Sequence, residues 1–301
     1  MTAIPGIHHI TAISGPAQQN VDFYTRTLGQ HLVKKTVNFD APDTYHLYYG
    51  DPTGRPGTIL TFFPFAGADP GRAGPGMAQA FAYAVPDLDV VMEDLAARAI
   101  DFKGVDERFG ARLITLRDAD GAPVELIESP RAPDAHGFHS VTLWARDPEP
   151  TARLLTDVFG YEARGEERQG TTTRLRLVAP GGAEADTVDV IRVEGARGGR
   201  SGTGTIHHVA FRARTQEEQH HWQDRLASAG HPTTPVIDRQ YFNAIYFREP
   251  GGVLFEIATD PPGFAVDEPA ETLGQALKLP PKYEAIRDRI ELVLPPLKAP
   301  A

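Results

Sequence analysis

Internal repetition is the feature that most constrains this chain. Residues 7–13 alternate as a strand. A helix then opens near Pro16, carries Val21, Tyr24 and Leu28 at helical spacing, and stops at Gly29. Three strand-like runs follow, "HLVKKTVNF", "YHLYYGD" and "GTILTFFPF", with turn residues between them. The unit reads β-α-β-β-β, and it recurs. Strand "QAFAYAV" leads to a helix over 88–100, then to "LITLRDADG" and "PVELIE". Strand "FHSVTLWA" leads to a helix over 149–159 that ends "VFGYEAR", much as the first ends "TLGQHLVK". Strand "IHHVAFRA" leads to a helix over 215–229, then to "YFNAIYF" and "GGVLFEIA".

Four modules therefore begin near residues 6, 79, 137 and 205, separated by Gly/Pro/Ser-rich connectors such as "AGADPGRAGPG". One module alone leaves a sheet edge open and a sheet face unburied; two side by side close their curved sheets around a shared cavity. The expected fold is α+β, four βαβββ modules forming two barrels. In sequence it divides into 1–130 (modules 1 and 2), 137–260 (modules 3 and 4) and a helical tail, 261–301. An amphipathic helix is expected around 283–294.

Composition narrows the chemistry. The chain of 301 residues is 41% apolar, enough for sizeable cores. Its formal net charge is −10 with no basic run, which argues against nucleic acid and anionic membranes as partners. No apolar stretch is long enough to span a bilayer, and the N-terminus lacks signal-peptide regions, so a cytoplasmic protein is the default expectation. Homo-oligomers are compatible with all of this. Cysteine is absent, so any metal must sit on nitrogen and oxygen ligands.

Two strands carry adjacent histidines, "GIHHITAISG" and "GTIHHVAFRA". Alternation puts Ile7, His9 and Thr11 on one face and His8, Ile10 and Ala12 on the other; in the second strand Ile206, His208 and Ala210 oppose His207, Val209 and Phe211. The small residues Thr11 and Ala210 leave room beside His9 and His208, which are therefore the candidates for the cavity. Large apolar neighbours put His8 and His207 on the helix-packing face. The last strands of modules 2 and 4 each place a glutamate four residues after a glycine, at Glu125 and Glu256. A carboxylate amid the apolar "GGVLFEIA" is costly unless it meets a cation or donors. Two imidazoles and one carboxylate leave open coordination positions, the arrangement of non-haem Fe(II) oxygenases.

Which ligands meet depends on which modules pair. If neighbours in sequence pair, modules 3 and 4 unite His139 with His208 and Glu256. If module 1 pairs with module 4, the set is His9, His208 and Glu256. The matched "HHIT" and "HHVA" strands favour the second.

The double-His strands, "YHLYYGD", "REPGGVLFEIATD" and the tail "TLGQALKLPPKYEAIRDRIELVLPPL" resemble the vicinal-oxygen-chelate superfamily, and within it the hydroquinone-type ring-cleaving dioxygenases. The resemblance covers essentially the whole chain. It implies Fe(II) on His9, His208 and Glu256, and roles beside the pocket for His8, Thr11, His207, Arg239 and Tyr246. A small aromatic diol and O2 are the implied substrates. From the residues alone, Tyr246 reads equally as a strand aromatic or as a group reaching substrate, and Arg239 as a surface pair or as an oxyanion partner. Asn243 matches no pocket position of the family. A glyoxalase-type lyase or isomerase using Zn2+, Ni2+ or Mn2+ is a competing expectation, as is a protein that sequesters aromatic compounds. The acid-free strand "GTILTFFPF" counts against a lyase with two opposed carboxylates. His220 and His221 read as a solvated helix face. His31, His46, His136 and His231 read as structural, and "GARGGRSGTGT" as a linker rather than a phosphate cradle.

Overall fold

The computed structural model describes residues 3–130, 132–181 and 184–298. Each module supplies four strands. They are β1 (Ile7–Ser14), β2 (His31–Asn38), β3 (Ala41–Gly50) and β4 (Ile59–Pro64) in module 1, and β5 (Met77–Val85), β6 (Lys103–Arg108), β7 (Ala111–Arg117) and β8 (Pro123–Glu128) in module 2. Module 3 gives β9 (Phe138–Trp144), β10 (Glu162–Gln169), β11 (Thr172–Val178) and β12 (Thr187–Val193). Module 4 gives β13 (Thr205–Ala213), β14 (Ile237–Asp238), β15 (Phe242–Arg248) and β16 (Leu254–Pro262).

These strands form two eight-stranded sheets, ordered β14-β15-β16-β13-β1-β4-β3-β2 and β10-β11-β12-β9-β5-β8-β7-β6. Module 1 thus joins module 4, and module 2 joins module 3. Each sheet draws on both sequence halves. The joins are antiparallel: Thr11 pairs with His208 across β1–β13, and Ala82 with Ser140 across β5–β9. Within each module the first strand runs parallel to the last, so the first-to-last link needs a crossover, which the helix supplies.

Helices start where side chains cap free backbone N–H groups. Asp87 accepts from the N–H groups of Asp89 and Val90 ahead of α2 (Leu88–Ala97). Thr215 caps α4 (Gln216–Ser228) through Glu218. α1 (Ala17–Asp22) and α3 (Pro148–Arg153) each run into a π-helical turn, Phe23–Thr27 and Leu154–Val158, a correspondence that extends the likeness of modules 1 and 3. A continuous apolar core that includes Val21, Tyr24, Phe62, Phe81, Phe138, Phe159, Phe211 and Phe255 fills the space behind the sheets.

Two elements depart from expectation. β6 is largely solvent-facing, so it lacks the apolar alternation by which a strand is recognised. The tail helix is broken into α5 (Pro281–Glu284) and α6 (Arg287–Val293), because Ile286 leaves helical geometry between them. Among the described residues no helix is long and apolar enough to cross a membrane.

Candidate metal centre

The sheet shared by modules 1 and 4 curves around a cavity of about 500 Å³, a volume suited to a small organic ligand. At its floor lie His9 on β1, His208 on β13 and Glu256 on β16, all buried. His208 Nε2 is 2.8 Å and His9 Nε2 3.3 Å from Glu256 Oε2, and the two Nε2 atoms are 3.4 Å apart. Among the described residues this is the one group of three that could hold a metal ion. His139 of module 3 is not part of it.

The donor set fits a cation. Glu256 is fully buried, yet neither carboxylate oxygen receives a hydrogen bond of sound geometry. The imidazole nitrogens approach it without pointing N–H groups at it. Three ligand atoms crowd one point, which a metal ion would satisfy and a hydrogen bond does not. Burial alone would raise the Glu256 pKa, but the facing rings of His9 and His208 hold it below the usual carboxylate range, so the carboxyl is ionised. The site is therefore electrostatically ready for a cation.

Adjacent histidines back the ligands. His8 Nδ1 lies 2.9 Å from His9 Nδ1, and His207 Nδ1 lies 2.8 Å from His208 Nδ1. With Nε2 turned as a lone pair to a metal, the proton of His9 and of His208 would sit on Nδ1 and be donated to the preceding ring. That ring must then be neutral. Burial, reinforced by His9, pushes the pKa of His8 well down; burial, reinforced by His208, pushes that of His207 down to about 4. Both rings are thus neutral acceptors near pH 7.

Alternation places His8 and His207 on the helix-packing face, and for His207 the structure differs. His207 lines the cavity, its ring set into the wall while part of the residue stays open to solvent. His8 is buried edge-on against Phe242, itself a cavity residue. Register shifts between Ile7 and His9 and between Thr11 and Ala12 interrupt the β1–β13 ladder, so strict two-residue periodicity fails where the histidines sit.

Tyr246 and Arg239 share the cavity wall. Arg239 donates from Nε to the Tyr246 hydroxyl (3.2 Å) and from Nη1 to Asp40 (3.1 Å), with its guanidinium over the Tyr246 ring. Burial, then Glu256, raises the Tyr246 pKa well above its ordinary value, so the phenol keeps its proton. Thr11 lies fully buried in the cavity wall, bonded to Thr61 (2.8 Å). Asn243 is not among the lining residues. His46, expected to be structural, does line the cavity, with Tyr48. The signal was the i, i+2 spacing of both in "YHLYYGD", which sets them on one strand face.

Register exposes how the four modules diverged. Glu256 pairs with Ala210, Glu125 with Ala82, Asp189 with Thr142 and Thr61 with Thr11. Module 1 thus carries a threonine where the others carry a carboxylate. In the second sheet both carboxylates are held by arginine. Arg108 binds Glu125 through two bonds of 2.6 and 2.7 Å, and Arg176 binds Asp189 at 2.8 and 2.9 Å. Guanidinium groups neutralise there what a metal would neutralise in the first sheet.

A family model described as the Glyoxalase/Bleomycin resistance protein/Dioxygenase superfamily matches residues 6–126 and 137–257. The chain belongs to this superfamily. Within the superfamily it is 44% identical to "Putative ring-cleaving dioxygenase MhqO" of Bacillus subtilis, over 97% of the chain and 96% of that protein. It is 36% identical to the chlorohydroquinone/hydroquinone 1,2-dioxygenase of Sphingobium indicum, over 95% of each. A crystal structure described as a "putative dioxygenase" from Bacillus subtilis superposes with a TM-score of 0.92 at 42% identity, covering 99% of both chains. By full-length likeness, this superfamily member groups with the ring-cleaving dioxygenases.

Proposed function

We propose that the chain is an Fe(II)-dependent dioxygenase that cleaves the ring of a hydroquinone or catechol with O2. One observation carries the reading: a fully buried glutamate without hydrogen-bond donors, faced by two imidazoles, in a chain alike over its whole length to a hydroquinone dioxygenase. His9, His208 and Glu256 would hold the iron. Bound there, Fe(II) would supply the redox chemistry that O2 requires and a cation for the phenolate of the substrate.

The protein residues do the rest. His8 and His207 fix the ligand tautomers from behind. Phe63, Phe65 and Phe242 give an aromatic ring an apolar wall, while Tyr246 donates a hydrogen bond to a substrate oxygen. Arg239, tethered to Asp40, sets the direction of that phenol and supplies positive charge for an oxyanion. Thr11 contacts the substrate beside His9. The lyase alternative is disfavoured, because Thr61 stands where a second, opposed carboxylate would be.

The test loads metal-free protein anaerobically with Fe(II) and follows O2 uptake with hydroquinones and catechols. Fe(II) should support uptake stoichiometric with ring loss. Zn2+ should occupy the site without turnover, having no redox chemistry. Uptake by zinc-loaded, iron-free protein would refute the mechanism.

A further inference from the structure

A chain of hydrogen bonds crosses three neighbouring strands beside the metal centre. Tyr48 Oη is 2.9 Å from His46 Nδ1, His46 Nε2 is 2.8 Å from Thr61 Oγ1, and Thr61 Oγ1 is 2.8 Å from Thr11 Oγ1. Register makes the chain possible: Thr61 on β4 pairs with Thr11 on β1 and with Tyr48 on β3. His46, two residues from Tyr48, shares its face. Tyr48, Thr11 and Thr61 are buried, and Tyr48, His46 and Thr11 line the cavity, whereas Thr61 does not. Both ends of the chain therefore open on the substrate space, and of its members only Thr61 is shut off from it.

We propose that Tyr48, His46, Thr61 and Thr11 form a proton relay serving the ring-cleaving reaction. In the resting polarity Tyr48 donates to Nδ1, His46 donates from Nε2 to Thr61, Thr61 donates to Thr11, and the Thr11 proton faces the cavity. Ring cleavage keeps every atom of the diol and of O2. The carboxyl group it forms joins one ring oxygen to one oxygen derived from O2, so the proton lost from the ring hydroxyl has an acceptor in the oxygen derived from O2. The relay performs that transfer. The substrate hydroxyl gives its proton to Tyr48 Oη, and the Tyr48 proton moves to Nδ1. The Nε2 proton moves to Thr61, the Thr61 proton to Thr11, and the Thr11 proton to the acceptor oxygen. One proton enters, one leaves, no electrons move, and no charge remains on the protein. His46 ends as the other tautomer. After product release, water in the open cavity gives a proton to Thr11 and takes one from Tyr48, and this return passage resets the ring. A neutral ring is required throughout; burial, with His9 and His208 nearby, lowers the His46 pKa well below its ordinary value.

The inference rests on the proposed reaction, so its test separates the two. Thr61→Val removes the central hydroxyl while keeping shape, at a position that touches no substrate. With wild-type Fe(II) protein confirmed active on a hydroquinone, this variant should bind iron and anaerobic substrate as wild type does. Its kcat should fall by about 10²-fold or more, the solvent deuterium isotope effect should change, and Thr61→Ser should restore both. In metal-free protein, nitrogen-15 NMR should show His46 neutral at pH 7 with its proton on Nε2, whatever the fate of the activity. A Thr61→Val variant with kcat within twofold of wild type and an unchanged isotope effect would overturn the relay. So would a His46 ring carrying both protons.

Discussion

At the scale of single residues, the decisive property of this site is that each candidate imidazole ligand has its partner next to it in the chain. A lone buried histidine must find an acceptor for its second nitrogen elsewhere in the fold; His9 and His208 find theirs in His8 and His207. Removing a ligand and removing a bystander should therefore differ sharply. His9→Ala should abolish tight metal binding, read as metal content after dialysis, while His139→Ala should leave it intact, because His139 lies on the other sheet and is not part of the cluster. The opposite pattern would move the site to modules 3 and 4. Tyr246→Phe keeps the ring and its stacking under Arg239 but deletes the hydroxyl. Its kcat should drop by about 10²–10⁴-fold with metal content unchanged; a wild-type rate would return Tyr246 to a packing role.

At the scale of elements, legibility followed periodicity and repetition. β1 and β13 share a double histidine, and Glu256 follows a glycine turn that also precedes Glu125, so His9, His208 and Glu256 stand out of the sequence. The 1–4 pairing is legible for the same reason. His46 and Tyr48 do not stand out, since no other module repeats a histidine in that strand, and only the β1–β4–β3 register brings them to the cavity. β6 escapes notice because its side chains face solvent. The second sheet hides its device too: Arg108, Arg174 and Arg176 lie on β6 and β11, on strands other than those of the acids they neutralise, with no motif that marks the pairing. There, burial would raise the Asp189 pKa, but bonds from Arg176 and the charges of Arg174 and Arg108 hold it down. A carboxylate depressed on folding adds stability above its unfolded pKa of about 4 and loses it as pH falls through the folded value. Thermal scans from pH 7 down to pH 2 should show stability falling below about pH 4. Asp189→Asn should be less stable at pH 7 and show a shallower acid limb. An equally steep limb in the variant would assign the acid loss to other carboxylates.

At the scale of the whole molecule, the C-terminal tail ties distant parts of the chain to the cavity mouth. Its anchor is Lys34 on β2, fully buried, whose Nζ donates to the Phe264 carbonyl (2.9 Å), Asp267 (2.6 Å) and Glu268 (2.6 Å). Glu268 also accepts the N–H of Gly274 at 3.0 Å. Gly274 has φ +75°, and a Cβ there would lie 1.8 Å from the Leu32 carbonyl oxygen, so only glycine lets the tail approach β2 this closely. Further on, the Tyr283 hydroxyl (2.8 Å) and Lys282 Nζ (3.1 Å) donate to the carbonyl of Phe39. Phe39 and Asp40 line the cavity, and Asp40 holds Arg239, which holds Tyr246. Loosening the tail should thus reach the substrate wall without touching the metal ligands. Lys34→Met preserves bulk but leaves the buried Glu268 carboxylate without its cation, a change that costs about 3–5 kcal/mol when one partner of a buried pair is removed. Tm should fall, proteolysis should cut first within 264–298, and metal content should hold while KM rises. Adding Glu268→Gln should recover part of the Tm, because the uncompensated charge is what destabilises. A Lys34→Met variant that loses metal together with its tail would instead make the two sheets and the tail one cooperative unit.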